Sequence, residues 1–130
     1  MLKVGILGFG FMGRMHFNNY RAREDVRVAA LCDADLARIT DPDAGAGNVS
    51  GAESPLDLEG IELYADFEEM LDQAGLDAVS IALPTHLHPG LSRVALEHGV
   101  HVLCEKPMAL TADACGEMID AAKASGKILQ

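Results

Sequence analysis

The sequence predicts an α/β fold, an open, doubly wound parallel sheet of about six strands. Three observations predict it. Short apolar runs recur along the chain with little polar alternation: KVGIL (3–7), VRVAALC (26–32), IELY (61–64), AVSIAL (78–83), VHVLC (100–104) and KILQ (127–130). Such runs suit strands covered on both faces, as in a parallel sheet. The segments between them carry apolar residues at helical spacing, and repeated right-handed β-α-β crossovers wind a sheet of this kind. A glycine-rich turn links the first run to the first helix.

That turn is Gly8-Phe9-Gly10-Phe11-Met12-Gly13. A bare G-x-G-x-x-G is a weak pattern, but here it leaves a strand and opens a helix, which is the context that raises its value. Gly8 permits the tight turn, Gly10 lets the backbone approach a pyrophosphate, and Gly13 lets helix and strand pack closely. The N–H groups around Phe11 and Met12 point at the phosphates from the positive end of the helix. The second strand ends at Asp33, twenty residues beyond Gly13. A carboxylate there accepts hydrogen bonds from the adenosine ribose hydroxyls of NAD and repels the 2′-phosphate of NADP. Arg38 stands near enough in sequence to tolerate that phosphate, so NAD comes first and NADP second. Asp33 also suits an N-cap for a helix over 34–40, which is compatible with binding. That helix is cut short at Pro42, and the small, acidic stretch 40–60 reads as a mobile surface loop.

Asp66 caps the third helix, with Glu69 as its capping-box partner. Phe67, Met70, Leu71 and Ala74 form the inner stripe, and Gly75 ends it. The fourth strand runs into ALPTHLHPG (82–90). Ligands of doubly wound sheets sit beyond the carboxyl ends of the strands, so Pro84, Thr85, His86 and His88 are on the ligand side. Leu87, Leu91, Val94 and Ala95 stripe the next helix. The fifth strand ends on the same side with Glu105-Lys106-Pro107. Thr111 caps the last helix, Cys115, Met118, Ile119 and Ala122 face inward, and Gly126 stops it.

Composition narrows the function. With 130 residues the chain is one domain, long enough for a core without metal or disulfide staples. Ten basic against 20 acidic residues give a formal charge of −10, and there is no Trp. Nucleic acid is therefore not expected as a partner. No apolar run reaches the ~18 residues of a membrane span. The N-terminus lacks a cleavage site of the signal-peptide kind. The three cysteines, Cys32, Cys104 and Cys115, are odd in number and fit no zinc spacing. They read as reduced thiols of a cytoplasmic protein. His98 and His101 have no ligand-like neighbours, and no metal site is expected.

GILGFGFMGRMH (5–16), the Asp33 position and AVSIALPTHLHPGLSRVALEHGVHVLCEKPMALT (78–111) together resemble the Gfo/Idh/MocA family of NAD(P)-dependent oxidoreductases. The resemblance covers the chain apart from the 40–60 loop, and its most specific element is Glu105-Lys106-Pro107. It implies a nucleotide-binding Rossmann domain over 1–130. It implies a catalytic Lys106 that reaches the substrate and the nicotinamide edge, with Glu105 near the nicotinamide ribose or holding Lys106. Pro84, Thr85 and His88 match the loop that passes the dinucleotide, although His88 alternatively just begins a helix. His16 matches a family position where packing, a hydrogen bond or function are all open. The family's second, α+β domain, which carries most of the substrate pocket, is not within these residues. The implied reaction is hydride transfer between NAD and a sugar, cyclitol or related polyol, with little dehydrogenase activity from this chain alone; the surface that would meet the second domain is expected to be partly apolar, which favours homo-oligomers. A stand-alone NAD-binding sensor and a non-catalytic interaction protein are the alternatives.

Overall fold

The computed structural model describes residues 1–40 and 56–130; most of the expected 40–60 loop lies outside them. Five strands, β1 (Leu2–Leu7), β2 (Val26–Cys32), β3 (Glu62–Tyr64), β4 (Ala78–Ile81) and β5 (His101–Cys104), alternate with five helices. The helices are α1 (Phe11–Arg21), α2 (Ala37–Thr40), α3 (Phe67–Gln73), α4 (His88–Glu97) and α5 (Ala112–Ser125). The sheet has the order β3-β2-β1-β4-β5, and every pair is parallel. β1 thus lies at the centre. The chain winds outward to β3 on one side, then crosses back to place β4 against the other side of β1.

Two apolar clusters cover the two faces. Val4, Ile6, Phe9, Phe17, Val28, Leu31 and Ile39 pack beneath α1. Leu7, Cys32, Met70, Leu71, Val79, Ile81, Ala95 and Leu96 are among those packing on the α3 and α4 side. In β2 the alternation slips. The register with β1 shifts between Val4 and Gly5. Val28 and Leu31 belong to the first cluster, and Ala30 to the second with Ala29 packed against it. One extra residue in a strand puts two neighbours on the same side, and two alanines fill that step.

The caps form where the side chains allow. Asp66 Oδ1 accepts the Glu69 N–H at 2.9 Å, whereas Glu69 Oε1 turns to Gln73 Nε2, 3.2 Å away. Thr111 Oγ1 accepts the Ala114 N–H at 3.2 Å, and Gly126 closes α5 in the left-handed region with φ 67°.

Four expectations need correction. The sheet has five strands among the described residues. KILQ joins β5 through one bridge, Val102 to Leu129, flanked by Val102 N–H to Ile128 O and Gln130 N–H to Val102 O, both 2.9 Å. Leu129 packs against the core while Ile128 is 65 % exposed, so the run is covered on one face only. The second helix starts at Ala37 rather than 34, because Asp33 accepts the Asp35 N–H and Asp35 accepts the Ala37 N–H in a preceding turn. Leu87 lies in a 3-10 turn (Thr85–Leu87) before α4 and is exposed. On α5 only Met118 is fully buried, and Ile119 points out at 43 % exposure. Small residues at Ala121 and Ala122 bring that helix close to the core without covering the next position.

Candidate functional site

Because the strands are parallel, the ends of β1, β2, β4 and β5 fall on one edge of the sheet. The order reverses between β1 and β4, and a crevice opens at such a switch point. The glycine turn stands there. Gly8 has φ 89°, and a Cβ placed on it would lie 2.6 Å from the Ala82 carbonyl oxygen at the end of β4. A Cβ on Gly13 would overlap the Gly8 carbonyl oxygen. These two glycines therefore serve close packing of strand, turn and helix. Gly10 differs: a Cβ there would meet no protein atom within 4 Å. The room it leaves is open space at the helix end.

Gly10 is also the N-cap of α1, with no side-chain cap bond and no acidic residue in the first turn. Phe11 and Met12 are 39 % and 36 % exposed, so the first-turn N–H groups have no carboxylate in competition with an incoming anion. Phe9 faces inward, edge-on to Phe17 and beneath the Arg14 guanidinium. Arg14, absent from the expected site, is itself buried and donates from Nη2 to the Arg38 carbonyl oxygen at 2.7 Å. It ties α1 to α2.

Asp33 is buried at the end of β2. Its Oδ2 accepts the Phe9 N–H at 2.9 Å and its Oδ1 the Asp35 N–H at 3.0 Å. The carboxylate is thus fastened to the glycine turn itself, and each oxygen keeps a further lone pair for a ribose hydroxyl. Pro84 and Thr85 open the 3-10 turn after β4, following Ala82 and Leu83, which a Cβ on Gly8 would meet.

The Lys106 turn completes the edge. The Glu105 N–H donates to Ile81 O at 3.0 Å, extending the β4–β5 pairing. His16 Nε2–H donates to Glu105 Oε1 at 2.7 Å, and Glu105 Oε2 accepts the Lys106 N–H at 3.1 Å. Partial burial pushes the Glu105 carboxyl up. The His16 hydrogen bond, the Lys106 N–H and the charges of His16 and Lys106 outweigh it and hold the group below its ordinary range. Lys106 itself is exposed, with a cis peptide bond to Pro107. His88 is 1 % exposed. Its Nδ1 lies 3.0 Å from Pro107 O and its Nε2 2.7 Å from Leu83 O. Both partners are backbone carbonyls that a ring N–H can bond, so His88 stands between the β4 and β5 turns rather than presenting a free nitrogen to the crevice. It both starts α4 and supports the site.

The remaining titratable groups lie apart. His86 is exposed, His98 lies 3.5 Å from Asp72, and His101 Nδ1 accepts the Ile128 N–H at 2.9 Å. Among the described residues no three His, Cys, Asp or Glu side chains are grouped to hold a metal. Cys32 is buried and, mainly through desolvation, its thiol is pushed up to about 12, far from a reactive thiolate.

The family model of the Gfo/Idh/MocA oxidoreductases, with its NAD-binding Rossmann fold, matches residues 2–130. The chain belongs to this family. Inositol 2-dehydrogenase 1 of Saccharopolyspora erythraea is 32 % identical over 128 residues, 98 % of this chain and 35 % of that protein. D-glucoside 3-dehydrogenase of Escherichia coli is 33 % identical over 129 residues, 98 % of this chain and 33 % of that protein. The chain therefore spans about a third of the length of these curated relatives. Among solved structures, the WlbA dehydrogenase from Chromobacterium violaceum in complex with NADH and UDP-GlcNAcA superposes with a TM-score of 0.82 at 28 % identity, over 98 % of this chain and 34 % of that one. The scyllo-inositol dehydrogenase of Lactobacillus casei with bound NAD(H) and scyllo-inositol does so at 0.81 and 25 % identity, over 100 % of this chain and 35 % of that one. The Gfo/Idh/MocA assignment and the crevice agree: a nicotinamide dinucleotide is the kind of ligand that an uncapped helix end, an open glycine and a fixed acidic residue fit.

Proposed function

We propose that this chain holds NAD(H) in the crevice between the β1 and β4 ends, as the cofactor-binding part of an oxidoreductase that moves hydride to or from a carbinol carbon of a sugar, cyclitol or related polyol. One observation carries the reading. The helix that opens at the glycine turn is joined to the Lys106 turn by the 2.7 Å His16–Glu105 bond, so phosphate cradle and lysine belong to one site. The dehydrogenase relatives named above support the substrate class.

Each group has a task. The α1 end takes the pyrophosphate through its free N–H groups, with Gly10 leaving room for close approach. Asp33 accepts from the adenosine ribose and disfavours a 2′-phosphate there, which selects NAD over NADP. Lys106 donates from its ammonium to the oxygen on the reacting carbon and stabilises negative charge developing there. The nicotinamide, when bound, supplies the hydride acceptor or donor. Glu105 and His88 hold the Lys106 turn in place.

Calorimetric titration of the chain with NADH and with NADPH tests this. Saturable NADH binding, weaker NADPH binding, and loss of about tenfold or more in NADH affinity in Asp33→Ala, the scale of a charge-assisted hydrogen bond, are expected. Absence of binding to both nucleotides, or an Asp33→Ala variant that binds NADH as tightly as the parent, would overturn it.

A further inference from the structure

The tip of the β5 turn sets a carboxylate and an ammonium on adjacent residues, the largely covered Glu105 and the exposed Lys106. Opposite charges this near in the chain attract each other. The structure shows otherwise. Both Glu105 oxygens are taken, Oε1 by the His16 ring and Oε2 by the Lys106 backbone N–H. Among the described residues, Lys106 Nζ enters no ion pair. The side chains of His16 and Glu105 are only 12 % and 18 % exposed, so their bond is shielded, while the ammonium remains in solvent. His16 Nδ1 is buried and has no hydrogen-bond partner. The bonded nitrogen is Nε2, and because it faces a carboxylate oxygen it is the donor.

From this we infer that His16 is a positioning residue for Lys106: by holding Glu105 against α1, it keeps the neighbouring carboxylate off the Lys106 ammonium. The inference rests on the proposed role of Lys106 and deepens it. A lysine already paired with Glu105 would offer the substrate oxygen less charge and fewer free N–H donors. A lysine whose neighbour is held elsewhere keeps all three. His16 lies on the helix that begins at the glycine turn, with Glu105 89 residues away in sequence, so the same helix that would receive the phosphates also keeps the lysine unpaired.

The test reads the Lys106 amine directly and needs no ligand. The folded chain is pulsed with acetic anhydride at neutral pH, and acetylation of each lysine is followed by mass spectrometry, with Lys3 as internal reference. In His16→Ala the freed Glu105 pairs with Lys106, and the Lys106 rate falls about threefold relative to Lys3, the factor set by an exposed ion pair. In the double variant His16→Ala/Glu105→Gln no carboxylate is left to pair, and the rate returns to the parent value. His16→Gln, whose amide can still donate to Glu105, stays near the parent. A general loosening of the fold would raise lysine rates and would not be reversed by Glu105→Gln. An unchanged Lys106 rate in His16→Ala, or a fall that persists in the double variant, would overturn the inference. The proposed function fails separately, on nucleotide titration.

Discussion

At the residue scale, the three glycines of the turn separate packing from binding. Gly13→Ala forces a Cβ onto the Gly8 carbonyl oxygen, and we expect it to destabilise the chain by about 1–3 kcal/mol, the range for overpacking, read by urea unfolding. Gly10→Ala meets no protein atom and keeps an ordinary φ of −77°. We expect its stability to change little while NADH affinity drops. Equal stability losses in the two variants would contradict this division. Glu105 gives a pH prediction. Its carboxyl is held below the ordinary range in the folded chain, where burial is outweighed by His16 and the Lys106 N–H. A depressed folded value means that its stabilisation is present above the unfolded value of about 4.3 and is lost as pH falls through the folded value. The stability gap between parent and Glu105→Gln, about 1 kcal/mol near neutral pH, should therefore close in acid. A gap that widens below pH 4 would have the wrong sign. The pairing itself was beyond reading from sequence. His16 and Glu105 each sit in a recognisable stretch, but nothing local says that a helix one strand away delivers the ring to the carboxylate. Arg14 was hidden for the same reason: an arginine on an amphipathic helix reads as solvated until a carbonyl and an aromatic face are found around it.

At the element scale, the strands were readable because burial on both faces removes polar alternation. β2 occupies 26–32 as expected, and the caps at Asp66 and Thr111 form as their side chains dictate. Asp66→Ala and Thr111→Ala should each cost about 1 kcal/mol, measured by thermal unfolding. The errors cluster where one apolar residue more or less decides. Ile119 looked inward because period alone cannot tell the rim of a buried stripe from its centre. Met118→Ala should cost about 2–5 kcal/mol as a fully buried truncation, whereas Ile119→Ala should cost less than about 1. Similar losses for the two would return Ile119 to the core.

At the scale of the whole molecule, the sheet carries all the site residues to one edge. It also leaves an apolar groove of about 730 Å³ beside it, lined by Met108, Ile119, Ala122 and Leu129 and bordered by Lys106. With Ile128, which also lines it, 65 % exposed, we propose this side as a surface for self-association. Light scattering across a concentration series should show species larger than a monomer, reduced by Ile119→Lys; a monomer at every concentration would count against it. The general position of the site was foreseeable, since a doubly wound order with a glycine turn leaves one switch point. How firmly its two halves are joined was not.

The central claim is that the glycine turn and the Lys106 turn form one dinucleotide site. The most direct measurement is a two-dimensional ¹⁵N–¹H NMR titration of the chain with NADH. The amides of Gly10, Phe11 and Met12 and those of Glu105 and Lys106 should shift together, along one saturation curve. Shifts confined to either turn, or two sets that saturate at different concentrations, would contradict it.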